Sequence, residues 1–244
     1  MRKLSHRKFF KAIFWLFITK APIVVFIVYI KTFLSQHKAL KEIFFQEPSK
    51  KYFSTDWFSG NIFYWNSLIY KKSLLNKNLS CLEIGSWEGR SALFLLNTLP
   101  KSNIVCVDTW AGADEHKDLS NLSSIESIFD ANLAEFGSRI QKFKGTSYSF
   151  FDTLDSNIKF DLIYIDGSHY VDDVLIDALK ALQILNIGGI IIFDDYFWKF
   201  YENSKFNPAT AINMFLRLKS NFLKVEMVYS QIVISKVALE DRKF

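Results

Sequence analysis

The chain has 244 residues, half of them apolar and 23% charged, with 9 glycines and 4 prolines, a composition that excludes disordered, collagen-like and disulfide-stapled classes. The net charge of +5 is unevenly placed: residues 1–51 hold 11 Lys or Arg against Glu42 and Glu47, a net of +9, and residues 52–244 carry −4. A mildly acidic body lacks the clustered cations that phosphate-backbone binding needs, which argues against nucleic acid as a partner.

The first predicted element is apolar. Residues 12–30 read AIFWLFITKAPIVVFIVYI, and as one helix would reach roughly 28 Å, close to a bilayer's hydrocarbon thickness. Lys20 near the midpoint would cost about 3 kcal/mol on insertion, and Pro22 would kink the segment. Basic residues on both flanks fit a helix or hairpin lying in the cytoplasmic leaflet at least as well as a span. Ordinary helices packing on the main domain or on a second subunit are the alternative. A membrane surface reached through residues 1–45 and a homo-oligomer are thus both open as partners. No small-x-small site follows the run, which argues against a cleaved signal peptide. The expected location is cytoplasmic, at the inner face of a membrane if this segment attaches there.

Residues 1–51 are accordingly read as a helical extension and 52–244 as the main domain. Within the latter, residues 52–70 read as a capped helix, with Asp56 or Ser59 as cap candidates and Ile62, Trp65 and Ile69 on its apolar face. Strand-like runs then alternate with helical ones: strands at 79–85, 103–110, 139–145, 160–167 and 189–196, helices at 88–99, 121–136 and 170–185. Such alternation implies a parallel sheet with helices on both faces. After a helix from Pro208, LKVEMVYS and QIVISKVAL follow with almost no gap, a hairpin at one sheet edge. Cys81 and Cys106 lie in apolar runs and read as reduced core residues of an intracellular protein.

In an open α/β sheet, ligands bind beyond the carboxyl ends of the strands. After the first strand stands Glu83-Ile84-Gly85-Ser86-Trp87-Glu88-Gly89-Arg90-Ser91. Gly85 and Gly89 permit a tight turn at a helix start, but Trp87 breaks the dinucleotide pattern, and no P-loop Gly-Lys-Ser/Thr follows. The next strand ends in Cys106-Val107-Asp108-Thr109-Trp110, where a carboxylate can accept the hydroxyls of a ribose. Alone, Asp108 reads as a turn or cap residue.

EIGSWEGRS, CVDTW, FDLIYIDGSH and GGIIIFDDY, in this order, resemble class I S-adenosylmethionine-dependent methyltransferases. The closer likeness is to the small O-methyltransferases and the macrolide-sugar enzymes of the macrocin and mycinamicin type, over about residues 52–236. The resemblance implies an α/β, doubly wound, seven-stranded, mostly parallel sheet of order 3-2-1-4-5-7-6 with its last strand antiparallel. It implies Glu83, Gly85, Ser86 and Gly89 around the methionine part of S-adenosylmethionine, Asp108 on the ribose, Trp110 beside it, and Thr146 and Ser147 near the adenine.

Asp166 ends the fourth strand, and Asp194 and Asp195 end the fifth. With those strands adjoining in the implied sheet, three carboxylates can converge on one Mg²⁺ or Mn²⁺. His169, three residues after Asp166, is the candidate general base, since a neutral imidazole can take a proton near pH 7. In the sugar enzymes a similar Asp-Gly-Ser-His stretch supplies a metal ligand and the base, whereas Asp194 stands where those enzymes carry Glu. The bland alternative has these acids only hydrogen-bonding the helices that follow. The aromatic segment 195–207 and the segment 109–120 with His116 are the expected lips of the site.

The function so implied is metal-assisted O-methylation of a hydroxyl on a sugar, glycan precursor or small molecule. The rivals are a metal-independent N- or C-methyltransferase, and a non-catalytic cofactor-binding module of a glycan-assembly complex.

Overall fold

The computed structural model describes residues 6–35, 51–113, 116 and 122–238. It contains a seven-stranded sheet of order β3-β2-β1-β4-β5-β7-β6, and the chain divides into two compact units.

The first unit comprises the described residues between 51 and 152. Helix α3 (Ile62–Lys71) turns Trp65, Leu68 and Ile69 inward. Strand β1 (Ser80–Ile84) pairs in parallel with β2 (Asn103–Asp108), and β2 with β3 (Ile140–Lys144). Cys81 to Ile84 are all buried, as expected of a strand covered on both faces. Helix α4 (Arg90–Thr98) buries Ser91 to Leu96, and α5 (Ile125–Leu133) buries Ile125, Phe129 and Leu133 at helical spacing. A short helix, α6 (Ser147–Thr153), follows β3. Cys81 and Cys106 are free and buried.

The second unit holds residues 6–35 and 153–238. Strands β4 (Phe160–Ile165) and β5 (Leu185–Phe193) run parallel, joined by α7 (Val171–Ile184). That helix buries Val174, Ala178, Ala181 and Leu182, and opens on Asp172 and Asp173, which favour its positive end. Helix α8 (Pro208–Leu218) begins on proline, whose fixed φ and missing N–H suit that position. Strands β6 (Leu223–Val228) and β7 (Ile232–Lys236) form the expected hairpin, and β7 is antiparallel to both β5 and β6. Strand β5 begins at Leu185, four residues earlier than the expected Gly189, with Gly188 at φ 80° in an irregular stretch of its pairing with β4.

The N-terminal apolar run is two helices, α1 (His6–Ile18) and α2 (Ile23–Ser35), of 13 residues each. The break has local causes: the Thr19 hydroxyl donates back to the Trp15 carbonyl, Lys20 takes φ 52°, and Pro22 precedes the second helix. Each helix is about 20 Å long. Among the described residues no helix is long and apolar enough to cross a membrane. The hairpin is fastened to the second unit, since Asn213 on α8 donates to the Thr19 carbonyl and hydroxyl at 3.1 Å and Val228 N donates to Thr32 Oγ1 at 3.3 Å.

Candidate active site

In the first unit, β1 delivers Gly85 at φ 84°, a conformation that favours glycine, and its N–H donates to the Val107 carbonyl at 2.8 Å. The chain then folds around Asp108. Its Oδ2 accepts the amides of Ser86 and Trp87 at 2.8 Å each, and its Oδ1 accepts the Trp110 amide at 2.7 Å. Trp87 and Trp110 sit at φ 47° and 52°, unusual for aromatic residues. The structure holds them there, as Trp110 Nε1 donates to the Trp87 carbonyl at 2.9 Å and Trp87 Nε1 donates to Thr55 Oγ1 at 3.2 Å. A carboxylate oxygen has two lone pairs, so half-exposed Asp108 keeps an acceptor position on Oδ1 for a hydroxyl. The same carboxylate is shared with three backbone amides that sequence reasoning did not foresee.

Glu83 is fully buried, accepting the Ser91 hydroxyl and lying 3.5 Å from Cys106 Sγ. Burial, and then the Glu83 charge, push the Cys106 thiol up, so it stays protonated. Ser86 is buried beside this group, and Gly89 caps α4 at φ 81°. Trp110 is only 5% exposed, with its ring edge against Phe129 and Lys142 Nζ 4.7 Å from its centroid; it is a buried strut. Thr146 Oγ1 accepts the Ser149 amide at 3.2 Å as the cap of α6, and half-buried Ser147 opens that helix. Trp57, Trp87 and His116 form an aromatic cluster, Trp57 stacked on His116 at 5.3 Å. Of the expected lip 109–120, residues 109–113 and His116 are described, and 114, 115 and 117–120 lie outside the described residues.

In the second unit, the ends of β4 and β5 bring Asp166, His169 and Asp195 together, with one ligand-type atom of each within 4.8 Å of the others. His169 Nε2 lies 2.9 Å from Asp195 Oδ2 and 3.7 Å from Asp166 Oδ1. Asp195 takes φ 53°, a conformation that is uncommon outside glycine. Trp198 packs on the His169 ring at 4.6 Å.

Asp194 is not part of that cluster. Its Oδ2 accepts Gln231 Nε2 at 2.6 Å and contacts the Tyr164 hydroxyl, and its Oδ1 accepts the Asp195 amide at 2.7 Å. The expected trio of carboxylates is therefore, in this structure, two carboxylates and an imidazole. The reason is the antiparallel register, in which Phe193 faces Ile232 and Gln231 stands next to Asp194. The Tyr164 hydroxyl also lies 2.9 Å from Asp166 Oδ2. A hydroxyl has one proton, so bridging both acids calls for a proton on one of them. Burial, with Asp166 and Asp195 adding negative charge, pushes Asp194 well above the usual carboxylate range. Burial also raises Asp166, against the pull of His169, and raises the Tyr164 phenol well above its ordinary value.

A divalent cation fits this donor set. Asp166 and Asp195 supply the carboxylate oxygens that such an ion takes, and His169 Nε2, 2.9 Å from Asp195 Oδ2, lies at its edge as a base. The two carboxylates, with open positions for water or acceptor oxygens, suit Mg²⁺ or Mn²⁺. Beyond the cluster, fully buried Asn207 organises the aromatic segment, its Oδ1 accepting the Phe200 and Tyr201 amides at 3.0 and 3.2 Å. Trp198 stacks on half-exposed Phe200 at 5.3 Å. Sequence reasoning missed Tyr164 and Gln231, and reached Trp198 and Asn207 only as part of the aromatic segment 195–207. Polar groups at 164 and 231 inside otherwise apolar strand and hairpin runs were the available signal.

Residues 82–196 match the family model described as a methyltransferase domain. An uncharacterised protein of Acanthamoeba polyphaga mimivirus is 30% identical over 127 residues, covering 49% of this chain, and the chain spans about half (52%) of that relative's length. Among solved structures, the O-methyltransferase from Bacillus cereus in complex with SAH is similar with a TM-score of 0.55 at 16% identity, over 76% of this chain and 84% of that one. The MycE methyltransferase of the mycinamycin pathway, in complex with Mg, SAH and mycinamycin VI, is similar with a TM-score of 0.55 at 14% identity, over 79% of this chain and 53% of that one.

Proposed function

We propose that this chain, whose residues 82–196 match a methyltransferase domain model and whose sheet has the class I methyltransferase strand order, transfers a methyl group from S-adenosylmethionine to a hydroxyl oxygen. The observation that carries the oxygen acceptor is the Asp166–His169–Asp195 cluster at two strand ends. Asp108 receives the ribose through the open position on Oδ1. Gly85 and Ser86 shape the turn around the methionine part, and Glu83 braces it from below through Ser91. Thr146 and Ser147 border the adenine.

Asp166 and Asp195 would hold a Mg²⁺ or Mn²⁺ ion, with Asp194 fixing the Asp195 backbone beside them. Such an ion supplies a positive charge that makes an acceptor hydroxyl easier to deprotonate. His169 Nε2 takes that proton, and Trp198 holds the imidazole plane. The oxygen then accepts the methyl from the sulfonium, and S-adenosylhomocysteine leaves as a neutral thioether. Trp198, Phe200 and Tyr201 offer faces on which a sugar or another small acceptor can stack, which supports a sugar, glycan precursor or small molecule as acceptor.

The test uses methyl-labelled S-adenosylmethionine and an extract of candidate acceptors, with and without chelator. Label in an alkali-stable ether, lost on chelation and restored by Mg²⁺ or Mn²⁺, is the expected result. Transfer that ignores the chelator would favour the metal-independent alternative. Cofactor binding without any transfer would favour a binding module.

A further inference from the structure

Each N-terminal helix turns one stripe to the body and the opposite stripe to solvent. On α1, Ala12, Trp15, Leu16 and Thr19 are buried, while Phe10, Phe14 and Phe17 are 67%, 65% and 68% exposed. On α2, Val25, Tyr29 and Thr32 are buried, while Ile23, Ile27, Ile30 and Leu34 are exposed, Ile23 by 78%. Spacings of three and four residues place each exposed set on one side of its helix. Side chains this large and apolar, exposed as a continuous stripe on both helices, mark an interaction surface.

The charges beside the stripes identify what covers them. Residues 1–41 contain no Asp or Glu. Lys11 and Lys31 follow the exposed stripes at their edges by helical angle, and both are exposed. At the turn between the helices, Arg217 of α8 donates to the Lys20 carbonyl, which sets its guanidinium beside the turn. A groove of about 740 Å³ opens there, lined by Pro22, Val24, Leu216, Leu223 and Val225, with Arg217 among its cations. An apolar stripe edged by cations, running into an apolar groove with a cation at its mouth, matches acyl chains beneath anionic headgroups. Helices of about 20 Å are too short to cross a bilayer, so they lie in one leaflet.

We infer that the α1–α2 hairpin docks the protein on an anionic phospholipid surface, its exposed stripes set among the acyl chains and its lysines among the headgroups. The hairpin carries the body with it. Lys199 sits 4.0 Å over the Trp15 ring, Tyr29 packs on Phe197 at 5.5 Å, and Asn213 joins Thr19 to the Tyr196 hydroxyl. The inference goes beyond the methyl-transfer reading and is independent of it, because docking needs neither cofactor nor acceptor.

The experiment is flotation of the full-length chain with vesicles of phosphatidylcholine, and with an equimolar mixture of phosphatidylcholine and phosphatidylglycerol. The protein is expected to float with the mixed vesicles and to bind neutral ones at least about tenfold more weakly. Phe14→Glu with Ile27→Glu, both at exposed positions, should lower vesicle binding more than about tenfold with the circular-dichroism melt unchanged. Lys11→Gln and Lys31→Gln should each cost roughly fivefold on mixed vesicles and nothing on neutral ones. A wild-type chain that stays in solution beside the mixed vesicles would overturn the inference. So would a concentration-dependent dimer, seen by ultracentrifugation without vesicles and abolished by Phe14→Glu, that leaves no binding to vesicles; the stripes would then be covered by a second copy.

Discussion

The two strand-end sites are built on opposite principles. Around Asp108 the carboxylate is satisfied by its own chain: three backbone amides converge on it. Around Asp166, Asp194 and Asp195, three carboxylates crowd together, and burial and mutual repulsion push two of them toward their protonated forms. The first arrangement is prepared for a ligand that exchanges hydrogen bonds, such as a ribose hydroxyl. The second favours positive charge beside it, since a neighbouring cation favours the ionised form of a buried acid. Satisfaction by backbone amides in one place and crowded, buried acids in the other are what the proposed nucleoside and cation roles rest on.

The contrast can be broken most sharply at His169. His169→Ala is expected to lower methyl transfer by roughly 10²–10⁴-fold while leaving S-adenosylmethionine affinity, read by calorimetry, unchanged. The same variant separates two roles for the ring. Mg²⁺ or Mn²⁺ affinity stays near the parent's if His169 is only the base, and drops at least about tenfold if it is also a ligand.

At the other seat, Asp108→Ala should weaken S-adenosylmethionine binding by ~1.5–3 kcal/mol, the size of a lost charge-assisted hydrogen bond together with loosened amides. Chelator should not alter that affinity, and a chelator-sensitive value would erase the division between the two seats. Asp194→Asn comes next, at roughly 10–100-fold in metal affinity or turnover, as for residues that orient ligands without touching the ion. A complete loss would make Asp194 a direct ligand that turns from Gln231 when the ion arrives. The smallest effect is expected in the scaffold. A Cβ on Gly89, at φ 81°, would stand 2.7 Å from Leu133 Cδ1. Gly89→Ala should therefore destabilise the fold by about 1–3 kcal/mol in denaturant titration, with little change in metal affinity.

Much of this was legible in the chain itself. The alternation of buried strands and amphipathic helices implies a parallel sheet, and strand ends are where ligands bind, so Gly85, Asp108, Asp166 and Asp195 stand out. Other residues carried no such mark. Trp110 reads as a neighbour of the ribose, yet its ring is turned inward by Phe129, Lys142 and the Trp87 carbonyl. Thr146 reads as a neighbour of the adenine and serves in addition as the cap of α6. Asp194 and Asp195 are adjacent in sequence and alike in chemistry, and nothing local tells them apart. Gln231, 37 residues on, accounts for the difference.

What the sequence determined by itself was set by short-range periodicity: which segments are strands or helices, where they end, and which residues fall at those ends. A side chain's direction one residue past a strand is not a local property, because it follows the partner that satisfies it. Asp194 turns toward Tyr164 and Gln231 because a buried carboxyl must find hydrogen bonds, and Asp195 is left to face His169. The apolar N-terminal run was likewise legible as apolar, and Pro22 as a kink within it. Only the tertiary structure decided which stripe of each helix is covered, through Asn213 and Val228, nearly two hundred residues away along the chain.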